Sequence, residues 1–154
     1  LREMVEDGIA ILKVGPALTF GLREALFALD MIEKELIPQE KRADFPAVLE
    51  KTMLANPGNW QKHYHGTEEE LAFARKYSFS DRCRYYMGEP EVTAAIEKLF
   101  EDLSAREIPL TILHQYMPLA YERVIRGELA PEPRALAKAG VAQFMLDYEY
   151  AAQM

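Results

Sequence analysis

The spacing of apolar positions changes near residue 15, and that change organises the chain. Ile9-Ala10-Ile11-Leu12-Lys13-Val14 is almost unbroken apolar sequence. Such a run suits a strand buried on both faces of a parallel sheet, so a strand is expected over residues 9–14. Gly15-Pro16 ends it, and Pro16 suits the first turn of a helix, where its missing N–H would have no partner anyway. Leu18, Leu22, Ala25, Leu26, Leu29, Ile32 and Leu36 then recur at helical spacing, with Phe20, Phe27 and Met31 forming a second stripe. A helix is therefore expected over 16–36, covered on two sides.

Beyond Pro38 the pattern turns to helices and loops. One helix is expected around Phe45 to Ala55, followed by a loop over residues 56–66. Thr67-Glu68-Glu69-Glu70 has the form of a capping box and starts a helix that should reach about Tyr77. Ser80-Asp81 offers an N-cap to a short aromatic and basic segment, and Glu89-Pro90 opens a helix with Val92, Ile96, Leu99, Phe100 and Leu103 on its core face. Residues 108–116 permit either a strand or a short helix, and helix is the reading taken. A last helix after Pro131 and Pro133 should bury Ala137, Val141, Phe144, Met145, Tyr148 and Ala152. Leu1 to Gly8 reads as the end of a helix with Gly8 as its left-handed stop.

The expected fold class is thus mostly α, with a terminal βα unit and a helical subdomain after it. A single interior strand without a partner leaves backbone donors and acceptors unpaired. The neighbouring strands are accordingly expected in a preceding part of a longer protein, with residues 1–37 as the βα unit and 38–154 as the helical subdomain.

Composition narrows the function classes. The 154 residues are 49% hydrophobic and 28% charged, as in an ordinary globular chain. No apolar run approaches the ~20 residues that cross a bilayer, so no membrane role is expected. Against 25 acidic residues stand 18 Lys and Arg, a net charge of −7 that disfavours nucleic acid as a partner. The single Cys83 cannot form an internal disulfide, and a cytoplasmic location is expected.

Three groups of residues carry candidate chemistry. A strand running through Lys13, Gly15 and Thr19 into a helix could cradle a phosphate on main-chain N–H groups; the alternative is a plain βα turn. Asp81-Arg82-Cys83-Arg84-Tyr85-Tyr86 concentrates two guanidinium groups, a carboxylate and phenols. Asp81, Arg82, Arg84 and Tyr85 could form an anion clamp or a structural ion network that fastens the helical subdomain. Cys83 reads as a small buried hydrophobe, since no neighbouring His would activate it. His63 and His65, near Glu68 to Glu70, could supply zinc ligands but show no clear third ligand, and His114 stands alone. No metal site or catalytic residue is therefore assigned to the chain, and neither nucleotide-binding glycine fingerprint occurs.

Gly8-Ile-Ala-Ile-Leu-Lys-Val-Gly-Pro-Ala-Leu-Thr-Phe20, with Leu22-Arg-Glu-Ala-Leu-Phe27 after it, resembles the non-catalytic subunit family of class II D-tagatose-1,6-bisphosphate aldolase, the GatZ/KbaZ family. Tyr77-Ser-Phe-Ser-Asp-Arg-Cys-Arg-Tyr-Tyr86, Ile108-Pro-Leu110 with Gln115-Tyr-Met-Pro118, and Arg126-Gly-Glu-Leu129 agree with it. The resemblance implies the last part of a TIM-like barrel and a C-terminal helical extension. It implies a partner, the zinc-bearing catalytic aldolase subunit, with zinc in that partner and no cofactor in this chain. The implied role is accessory, in galactitol, tagatose or N-acetylgalactosamine catabolism, with a sugar phosphate and a second copy of the chain as further candidate partners. Members are also named tagatose 6-phosphate kinases, so a sugar-phosphate enzyme in its own right, kinase or aldolase-like lyase, is the alternative. The catalytic relatives end the corresponding strand in a Lys-Val-Asn type motif, whereas Gly15-Pro16 follows Lys13-Val14 here. That departure fits a subunit that keeps a barrel without its chemistry.

Overall fold

The computed structural model describes residues 1–153, and its regular structure is helical throughout. The α-helices are α1 (Arg2–Glu6), α2 (Ala17–Leu36), α3 (Phe45–Ala55), α4 (Glu68–Tyr77), α5 (Pro90–Ser104), α6 (Leu110–Tyr116), α7 (Pro118–Ile125) and α8 (Pro133–Ala152). Short 3₁₀ turns occupy Gln39–Lys41, Pro57–Asn59 and Arg82–Tyr86. Local signals set most of these boundaries. Thr67 Oγ1 accepts the Glu70 N–H while the Glu70 carboxylate accepts the Thr67 N–H, a complete capping box at the start of α4. Proline opens α5, α7 and α8, and residues 110–116 adopt the helical alternative.

Residues 9–14 differ from expectation. They form no strand, and none occurs among the described residues. A strand is made by ladder hydrogen bonds to a neighbour, and no strand among the described residues is present to supply them. Ile9 and Ile11 are exposed, Ile11 to 85%. The segment is held at its end, where Tyr148 Oη donates to Val14 O (3.2 Å).

The core gathers around α2. Leu26, Leu29 and Ile32 meet Phe45, Leu49 and Met53 of α3, with Leu99 and Leu103 of α5, Leu113 of α6 and Leu136 of α8 completing the cluster. The most extensive packing is between α2 and α8. There two glycines allow the backbones to touch: a Cβ on Gly21 would lie 2.8 Å from Gly140 O and 2.7 Å from the Phe144 ring, and one on Gly140 would lie 2.8 Å from the Ala25 Cβ. This crossing sets the buried face of α8. Leu136, Ala137 and Ala151 are buried, whereas Met145 and Ala152, expected in the core, face outward. The second stripe of α2 is covered as expected at Phe27, edge-on against Phe45 and Tyr77, but Met31 stays 40% exposed.

Candidate functional site

The N-terminal turns of α2 and the segment from Ser78 to Tyr86 form one seam. Asp81 takes a left-handed backbone conformation (φ 50°), which Asp tolerates better than most residues. Although it precedes the 3₁₀ turn, its carboxylate does not cap that turn. It enters the protein instead, where Arg23 Nε donates to Oδ1 (2.9 Å) and Thr19 Oγ1 donates to Oδ2 (3.0 Å). Both members of the Arg23–Asp81 pair are almost wholly removed from solvent, with side chains 5% and 0% exposed. The Arg23 guanidinium also lies over the Phe20 ring, 4.3 Å from its centroid. Phe20 in turn stacks with the exposed Phe79.

Cys83 belongs to the same cluster, its Sγ 3.3 Å from Asp81 Oδ1. Burial pushes its thiol well above the ordinary range, and the Asp81 charge adds to the shift. A thiol held protonated in this way is a poor nucleophile. Tyr64 supports the segment from behind, its buried hydroxyl accepting from Arg82 N–H and Ser80 Oγ, each at 3.2 Å.

The sequence-expected residues therefore separate. Thr19, a candidate for phosphate, and Asp81, a candidate for the ion network, meet through a direct hydrogen bond. Lys13 and Gly15 lie outside that cluster on exposed chain, Gly15 with φ 62°. Arg84 spends its donors locally, with Nη1 on Ser80 O (2.6 Å) and Asp81 O (2.8 Å) and Nη2 on Tyr85 Oη (2.8 Å). Arg82 contributes a buried Nε without a hydrogen-bond partner, and its guanidinium lies 6.0 Å from the Tyr85 ring centroid. Near it, His63 is held below its ordinary pKa by desolvation and by the charges of Arg82, Lys62 and His65. Arg82, with the exposed Tyr85 and this cationic margin, is the part of the block best placed to meet an anion.

Arg23 carried no signal in the sequence beyond its place on α2. A charged residue three positions before Leu26, inside an apolar stripe, is the clue that could have suggested a buried partner. His63 and His65 both lie on the exposed loop, and His114 is exposed with its ring edge-on to Tyr121. No group of three or more potential metal-ligating His, Cys, Asp or Glu side chains occurs among the described residues. A separate cleft of about 290 Å³ opens between α2, α7 and α8, with Ala25, Ala28 and Phe144 on its apolar lining and Glu24, Arg123 and Gln143 as its polar groups. No helix among the described residues is long and apolar enough to cross a membrane.

Comparison with known proteins extends this geometry. The family model described as D-tagatose-1,6-bisphosphate aldolase subunit GatZ/KbaZ-like matches residues 1–153. A crystal structure of a probable tagatose 6 phosphate kinase from Sinorhizobium meliloti 1021 is similar at 45% sequence identity and a TM-score of 0.92. The alignment covers 98% of this chain and 39% of that one.

Proposed function

The chain belongs to the D-tagatose-1,6-bisphosphate aldolase subunit GatZ/KbaZ-like family, and on that premise we propose that it serves as part of an accessory, non-catalytic subunit supporting a class II tagatose-bisphosphate aldolase in cytoplasmic carbohydrate catabolism, galactitol breakdown included. The family match over residues 1–153 is the observation that carries this reading. The seam is consistent with it. Asp81 is engaged by Arg23 and Thr19, and Cys83 is buried with its thiol protonated, so the block's carboxylate and thiol serve packing. A general base or a nucleophile needs a side chain free to reach a reacting atom.

In this reading residues 1–37 supply the last βα unit of a TIM-like barrel and residues 38–154 form its helical subdomain. The exposed apolar run over 9–14 becomes a strand once neighbouring strands pair with it, and a sugar phosphate would meet Lys13, Gly15 and Thr19 where that strand enters α2. Zinc belongs to the catalytic partner. The partner gains stability because a ligand that binds only the folded state lowers its free energy, by about 2.7 kcal/mol at a hundredfold excess over Kd. Heating the catalytic subunit with and without the full-length protein, then measuring tagatose bisphosphate cleavage, tests this. Slower inactivation in the mixture is expected, and equal rates would remove the reading.

The name of the similar Sinorhizobium meliloti protein favours a second reading, a sugar-phosphate kinase. Titration calorimetry of the full-length protein with ATP and with tagatose 6-phosphate separates the two. ATP binding coupled to phosphate transfer would replace the accessory reading.

A further inference from the structure

Away from the seam, the carboxyl-terminal ends of α2 and α5 bring two acidic side chains together. Glu33, in the last turn of α2, is fully buried. Its Oε1 accepts the Ala43 N–H (2.9 Å), and its Oε2 is buried with no hydrogen-bond donor. The Asp102 carboxyl, in the last turn of α5, lies within hydrogen-bond reach of Glu33. Lys98 Nζ already donates to Asp102 Oδ2 (2.7 Å). Two carboxyl groups thus face one another where each helix presents its own negative end, so neither macrodipole favours an anion.

The remaining charges do not supply the missing donor. On α2, Lys34 is committed to Asp30 Oδ2 (2.6 Å), and Asp30 is itself buried with Oδ1 unpartnered. From the connection to α3, Asp44 adds negative charge near Asp30, while Arg42 donates to Ile37 O and Lys34 O. From the end of α5, Arg106 donates to Leu36 O. A bound proton satisfies the Glu33 carboxyl: it turns Oε2 into a donor and leaves Asp102 as its acceptor.

We propose that Glu33 keeps its proton in the folded protein and donates it to Asp102, making a proton-dependent clasp between α2 and α5. Burial is the main influence raising the Glu33 pKa, the Ala43 N–H opposes it, and Asp102 and Asp30 raise it further. The sign follows from linkage. The clasp is fully present below the unfolded value near 4.5 and is lost as pH rises through the raised folded value. One proton limits the change to about tenfold in the unfolding constant per pH unit.

The test is urea unfolding of the protein and of Glu33→Gln across pH 5 to 9, since the amide can donate to Asp102 while still accepting from Ala43. The ratio of unfolding constants, unsubstituted over Glu33→Gln, should rise with pH, by at most about tenfold per pH unit, until the folded Glu33 has lost its proton. A ratio independent of pH would overturn the clasp. Infrared difference spectra of the folded protein, followed upward from pH 5, give a readout that survives poor folding of the variant. The carbonyl band of a neutral carboxylic acid should be present and should shift in Asp102→Asn, and its absence would likewise overturn the assignment.

Discussion

Two buried arginines hold this protein together in different ways. Arg23 faces a carboxylate that is as buried as itself, within a cluster where Thr19 and Cys83 also reach Asp81. Arg75, on α4, is 1% exposed, yet its partners lie toward solvent: Glu50 is 21% exposed and Glu68 75%. Arg75 rests on the Trp60 ring (4.7 Å), while its Nη1 and Glu50 Oε2 remain buried without partners. Burial would lower the Arg75 pKa, but Glu50 and Glu68 more than offset it and hold the group above its ordinary value. The contrast shows why burial of one member does not define an ion pair. What matters is whether the other member can return to water when the pair breaks.

The largest effect should come from Asp81→Ala, which strands the Arg23 guanidinium in the interior. A loss of about 3–5 kcal/mol in chemical denaturation is expected. A cost under about 1 kcal/mol would mean that losing Asp81 matters no more than losing an exposed partner such as Glu68, and the distinction between the two pairs would fall. Arg75→Met keeps an apolar chain over Trp60 and frees carboxylates that can hydrate, so about 1–3 kcal/mol is expected. Thr67→Ala removes the capping box that presents Glu68 to Arg75, at a cost of about 1 kcal/mol by thermal or urea unfolding. Glu68→Gln should cost the least, about 0.2–1 kcal/mol, and its effect should shrink in high salt. The Asp81→Ala effect should keep its size when salt is raised. A separate check on seam closure is thiol labelling of Cys83, which should be negligible in the folded protein and rapid after unfolding.

The same seam bears on the two candidate phosphate regions. Thr19 is tied to Asp81, whereas Arg82 and Tyr85 are the members of the Asp81 to Tyr86 block with capacity to spare. The two regions are joined where Thr19 donates to Asp81 and where Phe79 stacks on Phe20. Arg82→Met in the full-length protein should therefore weaken sugar-phosphate binding with little loss of stability. Loss of stability with unchanged binding would assign Arg82 to the structural network alone.

Sequence by itself determined the helical identity of most of the chain, because the responsible signals act within a few residues. Thr67 and Glu70 cap one turn, Pro90 opens α5, and the apolar spacing from Leu18 to Leu36 marks α2. The family to which the chain belongs was equally legible, because the resemblance rests on continuous stretches such as Tyr77 to Tyr86. Only tertiary structure decided that Asp81 meets Arg23 across 58 positions, that Glu33 faces Asp102, and that Gly21 and Gly140 set the α2–α8 crossing. None of these pairings has a local signature, since each depends on which helices pack and at what distance. Residues 9–14 mark the boundary between the two kinds of information. Their apolar run has the composition of an interior strand, but strand formation requires a hydrogen-bonded neighbour, and within this chain Ile11 remains exposed instead.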